Sequence, residues 1–350
     1  MSAGSVPAVP GSPAATTRRA RTPARVRILA VAVILLLAIA ALGAVAAMTG
    51  DFPVALPDVV GSLAGSTTGL PRTVVLEWRM PRIAAAVVVG LALGVAGALF
   101  QGVTRNPLAS PDILGLSNGA FVGMLGAVVL LGSSWESRTV GALVGGLAAA
   151  LLIALLASGT GAGGFRFIVV GIAISSMAAS LGTWLLLRVE LDVAMTASAW
   201  GAGTLAGVDA TGVGTAAALT AALLCAVPLL SPALRQLELG DDLAAATGVR
   251  VAGMRLAALG VGVGLVCVAT TVAGPVAFIA LAAPQIARRL TRTPHIPAAV
   301  AALVGAALLL GADLVAQHAL PVTVPVGVVT VVIGGCYLVG LLVAEIRRRR

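Results

Sequence analysis

Long apolar segments alternate with short polar breaks along most of this chain. A helix of about 20 apolar residues crosses the hydrocarbon core of a bilayer and satisfies its own backbone hydrogen bonds. The apolar runs and their breakers predict ten spans, with no room for a soluble domain between them. These spans cover residues 28–48, 82–103, 119–132, 139–158, 167–187, 212–230, 251–272, 277–288, 298–316 and 326–344. The pattern therefore predicts an all-α, polytopic membrane protein.

Two segments depart from a simple crossing. The apolar run over residues 251–287 is too long for one span, and Gly274-Pro275 divides it, because proline removes a backbone donor and clashes with the preceding turn. The short piece that follows is expected to enter only part of the bilayer or to tilt little. Residues 194–207 are apolar but too short and too glycine-rich to span, which predicts a surface or re-entrant helix.

Both ends of the chain are rich in arginine. Residues 1–27 predict a disordered tail and residues 347–350 a basic C-terminus, with the membrane domain over residues 28–346 between them. A cleaved signal peptide is less consistent, because the first apolar run exceeds the roughly 7 to 15 residues of a signal sequence. An even number of spans puts both termini on one side, and basic residues favour the cytoplasm. We expect a multi-pass protein of the cell (plasma or inner) membrane, with both termini cytoplasmic and few arginines outside: Arg72, Arg79, Arg82, Arg138 and Arg188.

Composition narrows the possible functions. The chain is 59% hydrophobic and 10% charged, with a mean hydropathy of +1.08, whereas soluble proteins carry about 25% charged residues. The net charge of +9 comes from arginines at segment ends, and aromatics make up only 3%, so the positive-inside rule explains the charge better than nucleic-acid binding. The three cysteines lack paired spacing, which indicates neither a disulfide framework nor a metal site. Because the sequence has no lysine, a Gly-Lys-Ser/Thr phosphate loop is excluded, and neither an enzyme nor a cofactor is expected.

Two polar inserts interrupt the apolar pattern. The first, Arg105-Asn106-Pro107-Leu108, leads through Ser110-Pro111 to Asp112, which could cap the segment that follows. The second, Leu239-Gly240-Asp241-Asp242, ends at Gly248. Acids at its start favour a helix dipole and Gly248 can supply a left-handed C-terminal residue, so a short amphipathic helix is predicted at the inner face. Each insert is either an ordinary interfacial feature or a contact for a cytoplasmic partner.

Charged residues also occur near the predicted outer face. Arg79 and Arg82 could be interfacial anchors that snorkel, or a docking site for carboxylates of an extracellular protein, since guanidinium groups offer paired donors. Asp313 lies well inside a late span, one turn from Gln317 and His318. An intramembrane acid suggests function by default, but a structural hydrogen bond is favoured here over a proton relay.

Between Trp78 and Val343 the chain contains, in order, the motifs Arg79-Met80-Pro81-Arg82, Gly97-Ala98-Leu99-Phe100-Gln101, Arg105-Asn106-Pro107-Leu108-Ala109, Leu239-Gly240-Asp241-Asp242, Ala273-Gly274-Pro275-Val276 and Pro325-Val326-Gly327-Val328-Val329-Thr330. This order of motifs resembles the FecCD permeases, the membrane subunits of ATP-driven importers for iron-siderophore complexes, haem and cobalamin. The resemblance implies the bundle of a type II ABC importer permease over the membrane domain. It also implies a second permease subunit as homo- or heterodimer partner, ATP-binding-cassette ATPases below, an extracytoplasmic substrate-binding protein above, and membrane lipid around.

The resemblance also assigns roles to residues. The second insert would be the coupling helix that enters a groove on the ATPase, through Leu239, Gly240, Asp241, Asp242, Ala245 and Gly248. Arg79 and Arg82 would face acidic residues of the binding protein, and the turn with Ser158, Gly159 and Thr160 would lie at the inner gate. The chain departs from the family where it has Pro284-Gln285, since Pro-His is often found there.

These observations predict the permease subunit of an ABC importer, for ferric siderophores in the first place, working by alternating access that partner ATPases drive. The main alternative is a secondary transporter driven by an ion gradient. Such a transporter needs coupling carboxylates or ion sites at broken helices, and Asp313 is the sole clear candidate.

Overall fold

In a computed structural model, the described residues 13–132, 134–157 and 164–349 are helical apart from their connections. The helices are α1 Pro13–Met48, α2 Leu56–Ala64, α3 Leu70–Thr73, α4 Met80–Thr104, α5 Leu116–Leu131, α6 Trp135–Ala157, α7 Gly164–Leu186, α8 Leu191–Gly201, α9 Ala210–Glu238, α10 Asp241–Ala246, α11 Val251–Ala273, α12 Ile279–Thr291, α13 Ala298–His318 and α14 Val326–Arg349. A π-helical turn, Val74–Arg79, joins α3 to α4, and a 3₁₀ turn, Pro111–Leu114, precedes α5.

All ten predicted spans coincide with helices. Within the described residues, seven segments are long and apolar enough to cross a membrane: Arg25–Met48, Leu70–Thr104, Glu136–Leu156, Val169–Leu186, Ala210–Glu238, Val251–Ala273 and Ala298–His318. The other three predicted spans coincide with shorter helices, which are α5 with 16 residues, α12 with 13 and the apolar start of α14. At 1.5 Å per residue, α12 spans only about 20 Å, which fits the predicted partial entry. The predicted all-α membrane fold is confirmed.

The first helix begins earlier than the sequence predicts. α1 includes residues 13–27, which the composition assigns to a disordered tail. The physical reason is that alanine and arginine have high helix propensity, so the apolar span can extend backwards into this segment. Residues 1–12 lie outside the described part of the chain.

Helix α4 lies at the centre of the bundle and packs against α13, α11, α12 and α9. Small residues make this close approach possible, since helices in a bilayer gain no hydrophobic energy from mutual contact and rely on tight packing. A Cβ atom added to Gly94 would overlap the carbonyl oxygen of Ala301, and one added to Gly97 would overlap that of Ala280. The arrangement is therefore fixed by glycines that face backbone rather than by large interlocking side chains.

The break between α11 and α12 is built into the interior of the protein. Gly274 and Phe278 both have a φ of 67°, and the chain between them is not helical. The turn after α8 packs onto this break, because Thr204 N donates to Ala273 O at 2.7 Å and a Cβ atom added to Gly203 would lie 2.4 Å from Pro275 O. Irregular backbone at this depth is tolerated only where protein surrounds it. The predicted short helix within residues 194–207 is thus α8 together with its following turn.

Candidate functional site

The second polar insert forms a short helix at the arginine-rich end of the bundle. Gly240 has a φ of 122°, which allows the chain to turn sharply from α9 into α10, and Gly248 has a φ of 86° after the helix. The predicted helix and its left-handed C-terminal residue are present as expected. Leu239 and Leu243 are 71% and 60% exposed, while Ala244 packs inward. The connection before α10 and α10 itself therefore expose one leucine each beside polar neighbours.

Asp241 connects this helix to the first polar insert. Its Oδ1 accepts a hydrogen bond from Arg105 Nη2 at 3.1 Å and another from Arg255 Nη2 at 2.8 Å. Arg105 is the residue directly after α4, in the left-handed conformation with a φ of 53°, and Arg255 lies in the first turns of α11. Asp242 is exposed and has no ion pair in the described part of the chain. Asp241 thus ties α10 to two core helices, and Asp242 faces solvent.

The first polar insert runs from the arginine-rich end into the depth of the bundle. Asn106 Oδ1 accepts from Leu108 N at 2.9 Å, which closes a tight turn. Further along, a Cβ atom added to Gly115 would lie 2.6 Å from Ser175 Cα, and Ser175 is halfway along α7. The segment 105–115 therefore reaches the midpoint of α7 before α5 begins.

The interpretation of Asp112 as a cap for the following helix is wrong. Its Oδ2 accepts from Ser110 Oγ at 2.9 Å and from the backbone N–H of Phe278 at 3.2 Å. The carboxylate thus lies at the start of α12. The N-cap of α5 is Gly115, and no side chain caps that helix. The physical reason is that the 3₁₀ turn after Pro111 aims Asp112 at the break between α11 and α12, whose free N–H groups need an acceptor.

Buried side-chain amides link α4 to α12. Gln101 Nε2 donates to Leu281 O at 3.1 Å, Gln285 Nε2 donates to Gln101 Oε1 at 2.5 Å, and Arg288 Nη2 donates to Gln285 Oε1 at 3.1 Å. Sequence reasoning missed Gln101 as part of this chain of bonds. The available signal was an amide in an otherwise apolar span, because a buried amide is costly without a partner. Gln285 supplies that partner.

Arg82 forms a paired contact near the other end of α4. Its Nε and Nη2 donate to Asp313 Oδ2 at 2.9 Å and Oδ1 at 2.8 Å, and Gln317 Nε2 donates to Asp313 Oδ2 at 2.7 Å. The Asp313 side chain is 3% exposed and that of Arg82 is 25% exposed. This two-point geometry joins α4 to α13. It agrees with the structural role favoured for Asp313.

Arg79 is anchored to the backbone rather than to an acid. Its Nη1 donates to Ala47 O at 2.7 Å and its Nη2 donates to Phe52 O at 2.5 Å, at the end of α1. A cavity of about 560 Å³ at this face is lined by both arginines. Docking through Arg79 and Arg82 would have to use the donors that these contacts leave available.

The predicted gate residues Ser158, Gly159 and Thr160 lie outside the described residues. Among the residues that are described, no group of three or more His, Cys, Asp or Glu side chains is placed to hold a metal ion.

Comparison with known proteins places this geometry in a family. The model of the FecCD transport family matches residues 25–344. The chain belongs to this family. It is 45% identical over 292 residues to the ferric enterobactin transport system permease protein FepG of Escherichia coli (strain K12), covering 83% of this chain and 88% of the relative. It is 36% identical over 298 residues to the probable siderophore transport system permease protein YfhA of Bacillus subtilis (strain 168), covering 81% and 86%.

A solved structure has the same fold. It is an inward-facing conformation of an ABC transporter of the metal-chelate type, with a TM-score of 0.78 and 22% identity, over 90% of this chain and 98% of that one. The resemblance to FecCD permeases stated from the motifs is therefore confirmed, and so are the multi-pass membrane location and the class of ABC importer permease.

Proposed function

We propose that this FecCD protein is the permease subunit of an ABC importer for ferric siderophores, and that ATP hydrolysis takes place in a partner chain. The names of the relatives support the substrate class, and the anchored helix α10 supports the coupling. The observation that carries the proposal is Asp241, which joins an exposed, partly apolar helix to the ends of α4 and α11. A helix built this way can be pushed from outside and move the bundle.

The coupling residues divide into two groups. The first group forms or shapes the surface that would enter the ATPase: Leu239, Gly240, Asp242, Ala245 and Gly248. Asp241 faces the other way and transmits displacement of α10 to Arg105 and Arg255. The segment 105–115 carries this displacement to the break before α12, because Arg105 lies at one end and Asp112 near the other.

The remaining partners surround the bundle. Apolar side chains that stay exposed on α5, α6 and α7 would contact lipid or a second permease subunit, which is either another copy or a relative. Residues 158–160 would gate the pathway between the two subunits. A substrate-binding protein would dock at the opposite face, where Arg79 and Arg82 lie, and nucleic acid has no role.

The orientation follows from charge. Residues 1–27 and 347–350 would lie in the cytoplasm, with residues 28–346 as the permease domain between them, because this puts most arginines inside. A single cysteine placed at Leu239 tests the orientation in spheroplasts, in a chain whose three native cysteines are replaced. Labelling by an impermeant maleimide only after the membrane is broken supports it, and labelling of intact spheroplasts refutes it.

Reconstitution with and without the ATPase distinguishes the two transport mechanisms. We expect proteoliposomes that hold the whole transporter and a loaded binding protein to accumulate a ferric siderophore only when ATP is present on the ATPase side. Uptake that persists without the ATPase and collapses with an ionophore would establish the secondary transporter instead. A ferric catecholate and a ferric hydroxamate, tested side by side, would define the substrate class.

Docking at the outer face is tested separately from transport. We expect Arg79→Glu to weaken binding of the substrate-binding protein by about fivefold at low salt and less at high salt, since exposed charges are screened. Arg188→Glu is the matched control. Arg188 follows α7, and its guanidinium carbon lies 5.0 Å from the centre of the Trp184 ring. Equal effects of both variants would show a general effect of charge and contradict docking through Arg79.

A further inference from the structure

A crevice opens between α9 and the pair formed by α1 and α13, at the arginine-rich end of the bundle. Its volume is about 550 Å³, within the range of small-molecule sites. α4 forms the floor through Ala98, Leu99 and Gly102, and α9 forms one wall through Val227 and Pro228. α9 packs against α4 and α11, while α1 packs mainly against α13. The described helices therefore leave this gap open on one side.

The open side of the crevice has apolar rims. Leu29 of α1 is 65% exposed and Leu229 of α9 is 80% exposed, and each directly follows a residue that lines the crevice, Ile28 and Pro228. Exposed leucines on both rims are expected where a protein surface contacts acyl chains. A water-soluble ligand or partner would lose hydration of its polar groups on contact with these rims. A lipid chain has no such groups and could lie along them.

The arginine-rich end of the crevice carries positive charge. Arg235 lines it, and an adjoining cavity of about 200 Å³, which shares Gly102, Glu238 and Ile296 with it, adds Arg105 and Arg288. Arg105 is already paired with Asp241. Arg235 has no hydrogen bond or ion pair in the described part of the chain, and the Arg288 guanidinium is bound only through Nη2, to Gln285. Glu238 is the acid that lines both cavities, so three arginines lie around one carboxylate, and two of them, Arg235 and Arg288, have no ion pair in the described part of the chain.

His295 adds no charge to this group at neutral pH. It lies between α12 and α13 and lines the same end of the crevice. Burial, and next the positive charge of Arg235, hold the pKa of His295 below its ordinary value of 6.5. The positive charge of the site at neutral pH therefore comes mainly from the arginines.

We propose that this crevice binds one anionic phospholipid from the adjacent leaflet. Its acyl chain would lie along Leu99, Val227 and Pro228, and its phosphate would bind the free donors of Arg235 and Arg288. Basic pockets between transmembrane helices on the cytoplasmic side are a recognised setting for anionic headgroups, and each arginine near the surface contributes about fivefold in affinity. The bound lipid would fill the gap between α9 and α1 and so join the coupling end of the bundle to its periphery.

Lipid binding to the purified chain tests this without any transport partner. Native mass spectrometry would compare retention of phosphatidylglycerol with that of phosphatidylcholine of the same chain length. We expect Arg235→Gln to lower the apparent affinity for phosphatidylglycerol about fivefold and to leave phosphatidylcholine unchanged. The matched control is Arg250→Gln, an exposed arginine at the same end that does not line the crevice, with an expected change below about twofold.

A second variant fills the crevice instead of changing its charge. A Cβ atom added to Gly102 meets its nearest atom, Glu238 Oε1, at 3.9 Å, and Gly102 lines both cavities, so the side chain of Gly102→Leu would start without a clash and extend into the open volume. We expect this variant to lose retention of phosphatidylglycerol while its thermal unfolding stays close to that of the wild type. Gly126→Leu, where no atom lies within 4 Å on the distant helix α5, controls for an added leucine.

Three results would overturn the proposal. Equal retention of the two lipids, unchanged binding in both Arg235→Gln and Gly102→Leu, or a photocrosslink from position 229 to a protein subunit in the assembled transporter would each exclude a lipid here. Because the measurement needs neither ATPase nor substrate, its failure leaves the proposed transport function untouched.

Discussion

Replacing Asp241 by asparagine should uncouple α10 from the bundle while the protein stays folded. The carboxylate is the shared acceptor of Arg105 at 3.1 Å and Arg255 at 2.8 Å, so one substitution weakens both contacts. Asparagine keeps nearly the same volume and can still fit the turn after Gly240. The change therefore removes charge from the connection and little else.

The size of the effect follows from exposure. The Asp241 side chain is 40% exposed and its two partners are 41% and 35% exposed, so solvent screens both pairs. Pairs of this kind are worth about 0.2 to 1 kcal/mol each, which gives on the order of 1 kcal/mol for the two together. That amount shifts the ratio of anchored to released α10 by about fivefold. It is too small to unfold the core around α4, whose contacts it does not touch.

The assay is the coupling ratio, measured as siderophore transported per ATP hydrolysed in proteoliposomes. We expect Asp241→Asn to lower this ratio several-fold with little change in thermal stability, and Asp241→Glu, which keeps a carboxylate, to retain most of it. Asp242→Asn is the matched control, because it removes the same charge from the next residue, which has no ion pair in the described chain. It should alter affinity for the ATPase in a salt-dependent way and leave the ratio largely intact.

Equal loss of coupling in Asp241→Asn and Asp242→Asn would refute this reasoning. The effect would then come from the total negative charge that α10 offers to the ATPase, and the contacts to Arg105 and Arg255 would be incidental. If both variants instead kept a normal coupling ratio, neither carboxylate would be needed, and α10 would engage the ATPase through its leucines.

Two predictions concern stability. Asp313→Ala should lower the free energy of unfolding by about 3 kcal/mol, because it leaves the partly buried Arg82 without its acid; an unchanged midpoint of thermal unfolding in detergent would contradict this. Gly97→Ala should cost about 1 to 3 kcal/mol, because its Cβ would overlap the carbonyl oxygen of Ala280. Gly126→Ala, with no atom within 4 Å, should stay within about 0.5 kcal/mol of the wild type, and similar losses in both glycine variants would exclude packing as the cause.

The helices could be predicted from the sequence because their signal is local. The length of an apolar run shows whether it can cross a membrane, and Gly274-Pro275 or a polar insert marks where it ends. Neither reading requires knowledge of which helices pack together. The start of α1 was misplaced because residues 13–27 lack an apolar pattern but have residues of high helix propensity. Helix propensity decides the structure of a segment that has no apolar pattern.

The contacts of the candidate site could not be predicted because they join distant parts of the chain. Asp241 pairs with Arg105, 136 positions away, and Asp112 accepts from Phe278, 166 positions away. Local chemistry suggested that Asp112 would cap the next helix, and it failed because the α11–α12 break offers a free N–H group in the same place. Which acceptor meets which donor depends on how the helices pack.

The position of the segment 105–115 argues that it transmits force and is not a passive loop. A surface loop would need no fixed contact in the bundle, yet this segment has one at each end: Arg105 binds Asp241 of α10, and Asp112 binds the start of α12. Its deep end lies against Ser175 at the midpoint of α7, where an added Cβ on Gly115 would collide with backbone. A displacement of α10 therefore cannot be absorbed by slack at Gly115. The contacts to Phe278 and Ser175 would then pass it to α12, to α7 or to both.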